Sequence, residues 1–339
     1  MAPAYWEVQN SPKVHEGDIE LDEEIIAQLP SESTIKNCRG HGASNWNTTA
    51  RIDTEKADGE SQSYFLKLTD NPNGGPMFEG EFESMKLINQ TVPEYAPKPL
   101  AWGKCSKPNQ HFILFEFHGL QKGPPSVARF TNAVVQLHSR SLGASPTGKF
   151  GFHMNTYNGT LEQTNDWTDS WESFYIRGMQ QMLKLDRKAR GPSAELEKLS
   201  GPFLEKVIPR LLRPLQTKGR NITPVLIHGD LWLGNVSVQD QSGEPLMFDA
   251  SAFWGHNEYE LPSIRLLEND WAKECMRSYH DHIPVSEPVD DWDARSRLYA
   301  IRVIIHDSAL YPDSTHFRET LIEEMGKLVD QFPEGYTDQ

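Results

Sequence analysis

The stretch His228-Gly229-Asp230-Leu231-Trp232-Leu233-Gly234-Asn235, followed after a second apolar run by Phe248-Asp249, decides the fold. It sets out an Asp, an Asn five positions on, and a second Asp. Phosphoryl transfer needs one carboxylate beside the attacking hydroxyl and hard oxygen ligands for a metal that neutralises phosphate charge. Asp230 suits the first task, and Asn235 with Asp249 the second. One amide and one carboxylate match Mg²⁺, which keeps most of its positions for water and phosphate oxygens. Each acid follows a short β-prone run, Pro224-Val225-Leu226-Ile227 before His228 and Pro245-Leu246-Met247-Phe248 before Asp249, so both are expected at strand ends. The turn-forming Gln239 to Glu244 predicts a hairpin that brings Asn235 near Asp249. His228 reads as an orienting member of this loop. A metal hydrolase built on His228, Asp230, Asp249 and His256 is the competing reading, and such a site ordinarily carries more closely spaced His ligands.

An ATP-using enzyme of this type also needs an upstream half that holds the nucleotide. Ser63-Tyr64-Phe65-Leu66-Lys67-Leu68 is a strand with a lysine inside it. A buried ammonium requires partners, and the α- and β-phosphates would supply them; a solvent-facing edge-strand lysine is the plain alternative. Residues Pro76 to Val92 form a predicted helix carrying Glu79, Glu81 and Glu83, one of which is expected to pair with Lys67. Ahead of the strand, Arg39-Gly40-His41-Gly42-Ala43-Ser44 predicts a turn whose backbone N–H groups could face phosphates. His111 to Phe117 is a further strand, and the backbone of Glu116, Phe117 and His118 just beyond it is where an adenine edge would bond.

The chain resembles the fructosamine kinase (ketosamine-3-kinase) family of aminoglycoside-phosphotransferase-like kinases. The likeness is carried by Met77-Phe78-Glu79-Gly80-Glu81, Lys149-Phe150-Gly151-Phe152-His153, Asn165-Asp166-Trp167-Thr168-Asp169-Ser170-Trp171, His228-Gly229-Asp230-Leu231-Trp232 and Gly255-His256-Asn257-Glu258-Tyr259-Glu260-Leu261. The resemblance implies an α+β, two-lobed, protein-kinase-like fold. A small N-terminal β-sheet lobe with one helix (residues 1–117, of which 1–35 resemble nothing recognisable) would bind ATP. A larger, mostly helical lobe (118–339) would carry catalysis and substrate. It further implies that Asp230 accepts the proton of the ketosamine C3 hydroxyl, that Asn235 and Asp249 hold Mg²⁺, and that Glu81 is the carboxylate paired with Lys67. Gly40, Gly42, Ala43, Ser44 and the 116–118 backbone would contact ATP. Trp232, His228, Asp166, His256 and Glu258 are the substrate-side candidates. The implied substrates are ribulosamine- or fructosamine-type adducts on amines or glycated proteins, in a repair role. Another acceptor, such as an amino sugar or choline, and an ATP-binding pseudoenzyme are the alternatives.

Three positions depart from the family pattern. Asp249-Ala250-Ser251 replaces Asp-Pro-Ala, Leu233 replaces a small hydroxyl residue, and Ala43 stands where many relatives carry a redox-sensitive Cys. The first leaves the ligand chemistry intact, the second bears on substrate preference, and the third argues against a disulfide-switched dimer.

Composition narrows the partners. A net charge of −15 argues against nucleic acid. Three cysteines without metal or disulfide spacing suit a reducing, cytoplasmic setting. Met1 to Asn10 lacks the regions of a signal peptide, and no apolar run reaches membrane-spanning length. Acidic residues from Glu16 to Glu24 read as a solvated surface. Apolar stripes at Val127/Phe130/Val134/Leu137, Trp171/Phe174/Tyr175/Met182, Leu204/Val207/Ile208/Leu211/Leu215, Leu298/Ile301/Ile305 and Leu321/Met325/Leu328 predict the core faces of helices.

Overall fold

The computed structural model describes residues 13–337; the reading of Met1 to Asn10 therefore lies outside the described residues. The chain divides into two compact units. One comprises 13–125 with 235–251, the other 126–234 with 252–337.

In the first unit a short strand, β1 (Lys13–Val14), and a helical turn, α1 (Glu23–Ile26), precede the sheet strands β2 (Thr34–Gly40), β3 (Ala43–Ser44), β4 (Thr48–Glu55) and β5 (Ser61–Thr69). Helix α2 (Gly74–Thr91) follows, then β6 (Pro99–Lys104), β7 (His111–Glu116) and β8 (Leu120–Gln121). Five of these strands form one antiparallel sheet in the order β2-β4-β5-β7-β6. The β4–β5 connection turns at Gly59, whose φ of +84° a glycine adopts without steric cost. Strand alternation puts Ala50, Ile52, Tyr64, Leu66, Phe112 and Leu114 into one cluster with Ile25 and Leu29 of the α1 region. Asp22 caps α1 through the Glu24 N–H and also accepts from the Ser106 N–H, both at 3.0 Å. Part of the acidic Glu16–Glu24 run is thus a docking segment as well as a surface.

The second unit begins with α3 (Val127–Ser141), the hairpin β9 (Thr156–Asn158) and β10 (Leu161–Gln163), α4 (Trp171–Arg190), α5 (Ala194–Pro202), α6 (Ile208–Leu212) and β11 (Val225–Ile227). Ser126 and Ser170 cap α3 and α4 by accepting from the backbone N–H three residues on. The chain then contributes the hairpin β12 (Val236–Gln239) and β13 (Pro245–Met247) to the first unit, where β12 also pairs with β8. It returns as β14 (Phe253–Gly255), paired with β11, and as α7 (Pro262–Arg265), α8 (Asp270–His282), α9 (Trp292–Leu310) and α10 (Thr315–Gln331). Trp171, fully buried on α4, stacks with Phe174 and Phe253, meets Tyr259 and Tyr299 edge-on, and donates its indole N–H to the Tyr299 hydroxyl at 2.8 Å. A buried indole needs that acceptor. No helix among the described residues is long and apolar enough to cross a membrane.

Candidate active site

In the first unit the site is organised by Lys67. Strand pairing across β4, β5 and β7 places it opposite Thr49 and Ile113, with only 4% of its surface exposed. Its ammonium donates to Glu81 Oε1 on α2 at 2.6 Å and to Asp249 Oδ1 at 2.5 Å. Burial alone would strip the proton from such a lysine; the two carboxylates outweigh it and raise its pKa above the ordinary value. Glu81 is pushed upward by burial, with Asp249 adding like-charge repulsion against the pull of Lys67. One ammonium therefore serves two carboxylates, the enclosed Glu81 and the half-exposed Asp249.

Asp249 follows β13 with φ +61°, a left-handed conformation that Asp tolerates better than most residues and that recurs at functional positions. Asn235 precedes β12, and its carbonyl accepts from the Phe248 N–H at 3.0 Å. The hairpin thus brings Asn235 and Asp249 to the same end. Their donor set, a carboxamide oxygen and a carboxylate, fits a hard divalent cation that retains other oxygen ligands.

The glycine-containing turn is clasped by the segment before it. Lys13 and Val14 pair with Ser44 and Ala43, the Gly40 N–H donates to Gly17 O at 2.8 Å, and the His15 N–H reaches Gly42 O at 3.3 Å. A Cβ on Gly40 would lie 2.5 Å from the His15 carbonyl oxygen, so Gly40 is required by this close approach. Gly42 has φ +83°. The Ser44 hydroxyl accepts from the Trp46 and Asn47 N–H groups, shaping the turn. Thr49 Oγ1 is buried beside Gly42 without a hydrogen-bond partner in the protein.

At the end of β7 the Glu116 N–H donates to Lys98 O and the Phe117 N–H to Ser63 O. The Phe117 ring meets His41 edge-on and carries the Arg51 guanidinium 4.4 Å from its centre. His118 Nε2 is buried without a protein partner, an orphan that a purine edge could satisfy.

In the second unit the loop after β11 is held from behind by a carboxylate. Glu260 accepts from the His228 N–H at 2.5 Å and the Gly229 N–H at 3.2 Å, and Gly229 has φ +82°. The Asp230 N–H points to His228 Nδ1 at 3.3 Å, so the fully buried His228 orients the loop from within. The Asn158 amide lies 2.9 and 3.0 Å from the two Asp230 carboxylate oxygens. Carboxylate oxygens only accept, so the amide nitrogen is the atom facing them. The indole of Trp232 lies against Gly234, where an added Cβ would fall 2.3 Å from its ring carbons.

The remaining substrate-side candidates are placed differently. Glu258 forms a bidentate pair with Arg295 at 2.9 and 3.1 Å and accepts from the Ser286 N–H at 2.8 Å. His256 is enclosed by the Tyr299 and Ser286 hydroxyls, each 2.9 Å away. Both are buried, and this network occupies the polar atoms that a substrate would need. Asp166 is exposed, and its carbonyl accepts from Arg177.

A family model described as fructosamine kinase matches residues 20–330. Mouse ketosamine-3-kinase is 30% identical over 265 residues, spanning 72% of this chain and 81% of that one. The chain belongs to the fructosamine kinase family. It is accordingly a phosphotransferase that uses ATP and acts on a sugar hydroxyl. A Thermobifida fusca structure described as a candidate fructosamine-3-kinase superposes with a TM-score of 0.71 at 21% identity, covering 91% of this chain and 98% of that one. A thermostable aminoglycoside phosphotransferase, solved with ADP and hygromycin B, superposes with a TM-score of 0.59 at 13% identity, covering 92% and 98%. These two likenesses establish the kinase fold, with its N-terminal sheet and helical C-terminal part.

For this fructosamine kinase family member, the residues that sequence reading left without a role are Glu260, Asn158 and Arg295. Glu260 stood inside a quoted motif, which is the one signal that could have drawn attention to it. Asn158 precedes a glycine and reads as an ordinary turn.

Proposed function

We propose that this kinase transfers the γ-phosphoryl group of Mg-ATP to the C3 hydroxyl of a ketosamine, with Asp230 as the base. The reading rests on the family match, the kinship with mouse ketosamine-3-kinase, and one structural observation. That observation is the buried Lys67 ammonium joined to both Glu81 and Asp249. Such a lysine suits the ATP phosphates, with Glu81 fixing its position. Asn235 and Asp249 would hold Mg²⁺, which when bound supplies charge neutralisation at the phosphates. Gly42, Ala43 and Ser44 would border the phosphates, and the 116–118 backbone with His118 the adenine.

In this reading Asp230 accepts the hydroxyl proton as the oxygen attacks. The Glu260 carboxylate keeps the loop backbone in place, and Trp232 offers an apolar ring face to the sugar C–H groups. Most of the acceleration comes from positioning and from charge already arranged before reaction. The physiological role is repair of glycated amines, free or protein-bound. The setting is a reducing cytoplasm, supported by three buried free cysteines whose thiols burial pushes up to about 11 or 12.

Turnover with Mg-ATP against a ribulosamine, a fructosamine, an aminoglycoside and choline, with product mass determined, tests the proposal. A phosphorylated ketosamine is expected, with kcat lowered about 10²–10⁴-fold in Asp230→Asn and little change in KM for ATP. Turnover confined to an aminoglycoside or choline would overturn the substrate, and near-normal kcat in Asp230→Asn would overturn the base.

A further inference from the structure

The geometry points to Asn158 as a positioning residue that holds the Asp230 carboxylate for reaction. This inference rests on the reading of Asp230 as the base, and it concerns a residue outside every motif that led to that reading. Its amide nitrogen lies 2.9 Å from Oδ2 and 3.0 Å from Oδ1. A single NH₂ group thus sits across both carboxylate oxygens and defines the plane of the carboxyl group.

Such a contact directs a side chain only if the amide itself cannot move, and the β9–β10 hairpin meets that condition. Asn158 is the last residue of β9, pairs with Leu161, and is 7% exposed. Gly159, at φ +54°, makes the tight turn. The carbonyl of Asn158 accepts from His306 on α9 at 2.9 Å; because a carbonyl only accepts, His306 carries its proton on Nε2. Behind the turn, Asn165 donates to Thr156 Oγ1 and to Met154 O, Gln163 donates to Thr156 Oγ1 and Asn165 Oδ1, and Arg302 donates to Gln163 Oε1. These side chains are buried. A fully satisfied buried network of this kind has one low-energy arrangement, so Asn158 is presented on a rigid base, as a group that orients a reacting side chain must be.

Acting through Asp230 has a signature that a structural role lacks. Removing the amide should reduce turnover without weakening nucleotide binding, and should cost nothing more once the carboxylate is gone. The experiment is a double-mutant cycle of Asn158→Leu with Asp230→Asn, read as kcat and as KM for ATP and acceptor. Asn158→Leu alone is expected to lower kcat by about 10–100-fold, with KM for ATP within about twofold. In the Asp230→Asn background the same change should alter the residual rate by less than about twofold. Thermal unfolding accompanies each protein, and Asn158→Ser, smaller and still polar, replaces Leu in the cycle if Leu lowers Tm. Equal losses in both backgrounds, or a KM effect with kcat intact, would overturn the inference and leave the base unaffected. Near-normal turnover of Asp230→Asn by itself would instead remove the base on which the inference stands.

Discussion

The Lys67 ammonium reaches Asp249 Oδ1 at 2.5 Å while also holding Glu81 Oε1 at 2.6 Å, which ties the middle strand of the N-terminal sheet to both helix α2 and the β12–β13 hairpin. Removing one partner of a buried ion pair leaves the other charge without compensation, which generally costs about 3–5 kcal/mol. Here Asp249 is half-exposed and Glu81 can take up a proton. Lys67→Met is therefore expected to destabilise the protein by about 1–3 kcal/mol. On the proposed role of Lys67 at the ATP phosphates, it should also lower kcat/KM by at least about 10²-fold. Urea unfolding together with ATP titration checks both; a variant of normal activity would separate Lys67 from the nucleotide.

His256 gives a pH dependence with a definite sign. Burial holds it neutral, bringing its pKa down to about 4 from the usual 6.5 despite the nearby Glu258 carboxylate. Arg295, His138 and His280 add to the lowering. The unfolded chain binds a proton below about pH 6.5, whereas the folded chain resists until about pH 4. The stability contributed by neutral His256 is thus complete above pH 6.5 and is lost as pH falls toward 4. The loss between pH 7 and 4.5 is about 2–3 kcal/mol. His256→Gln should flatten the slope of unfolding free energy against pH in this window. An unchanged slope would show that His256 titrates alike in the folded and unfolded chain.

Gly234 and Trp232 couple the shape of the loop to the acceptor. A methyl group on residue 234 would fall 2.3 Å from the indole carbons, so Gly234→Ala must swing the ring aside. If the ring forms one face of the sugar site, KM for a ketosamine should rise about 10-fold while KM for ATP stays constant. Indole fluorescence would report the displacement independently. A shifted emission with unaltered acceptor KM would remove Trp232 from the substrate.

The features legible in the sequence are the local ones. Lys67 lies in a strand that is buried continuously from Leu66 to Thr69, and the strand Ser61–Thr69 and the helix Gly74–Thr91 come out within a few residues of their expected bounds. The hairpin that carries Asn235 and Asp249 follows from two apolar runs around a turn-forming segment. What could not be read is what long-range contacts decide. Arg295 on α9 would pass for a surface residue, yet it is wholly buried against Glu258. Glu258 is engaged by that pair, and its neighbour His256 by the Tyr299 and Ser286 hydroxyls. The clasp of residues 13–17 on the glycine turn depends on backbone pairing, which leaves little trace in residue type.

Glu260 supplies the sharpest test of how the loop carrying Asp230 is held. Its carboxylate accepts from two consecutive backbone N–H groups, of His228 and Gly229, and its own side chain is 1% exposed, 3.5 Å from His138 Nε2. Truncation to Ala leaves two buried donors unsatisfied. At about 1–3 kcal/mol each, Glu260→Ala is expected to lose about 2–5 kcal/mol and much of its activity together. Glu260→Gln is the more informative change, because it retains one accepting oxygen of nearly the same shape. It can still serve the His228 N–H, while its NH₂ group opposes the Gly229 N–H donor to donor. Gln should therefore fold with a smaller loss of stability and still show a reduced kcat, with KM for ATP unchanged. Thermal unfolding and steady-state kinetics on the two variants decide the matter. Equal kcat in wild type and Glu260→Gln would mean that one accepted hydrogen bond suffices to place Asp230.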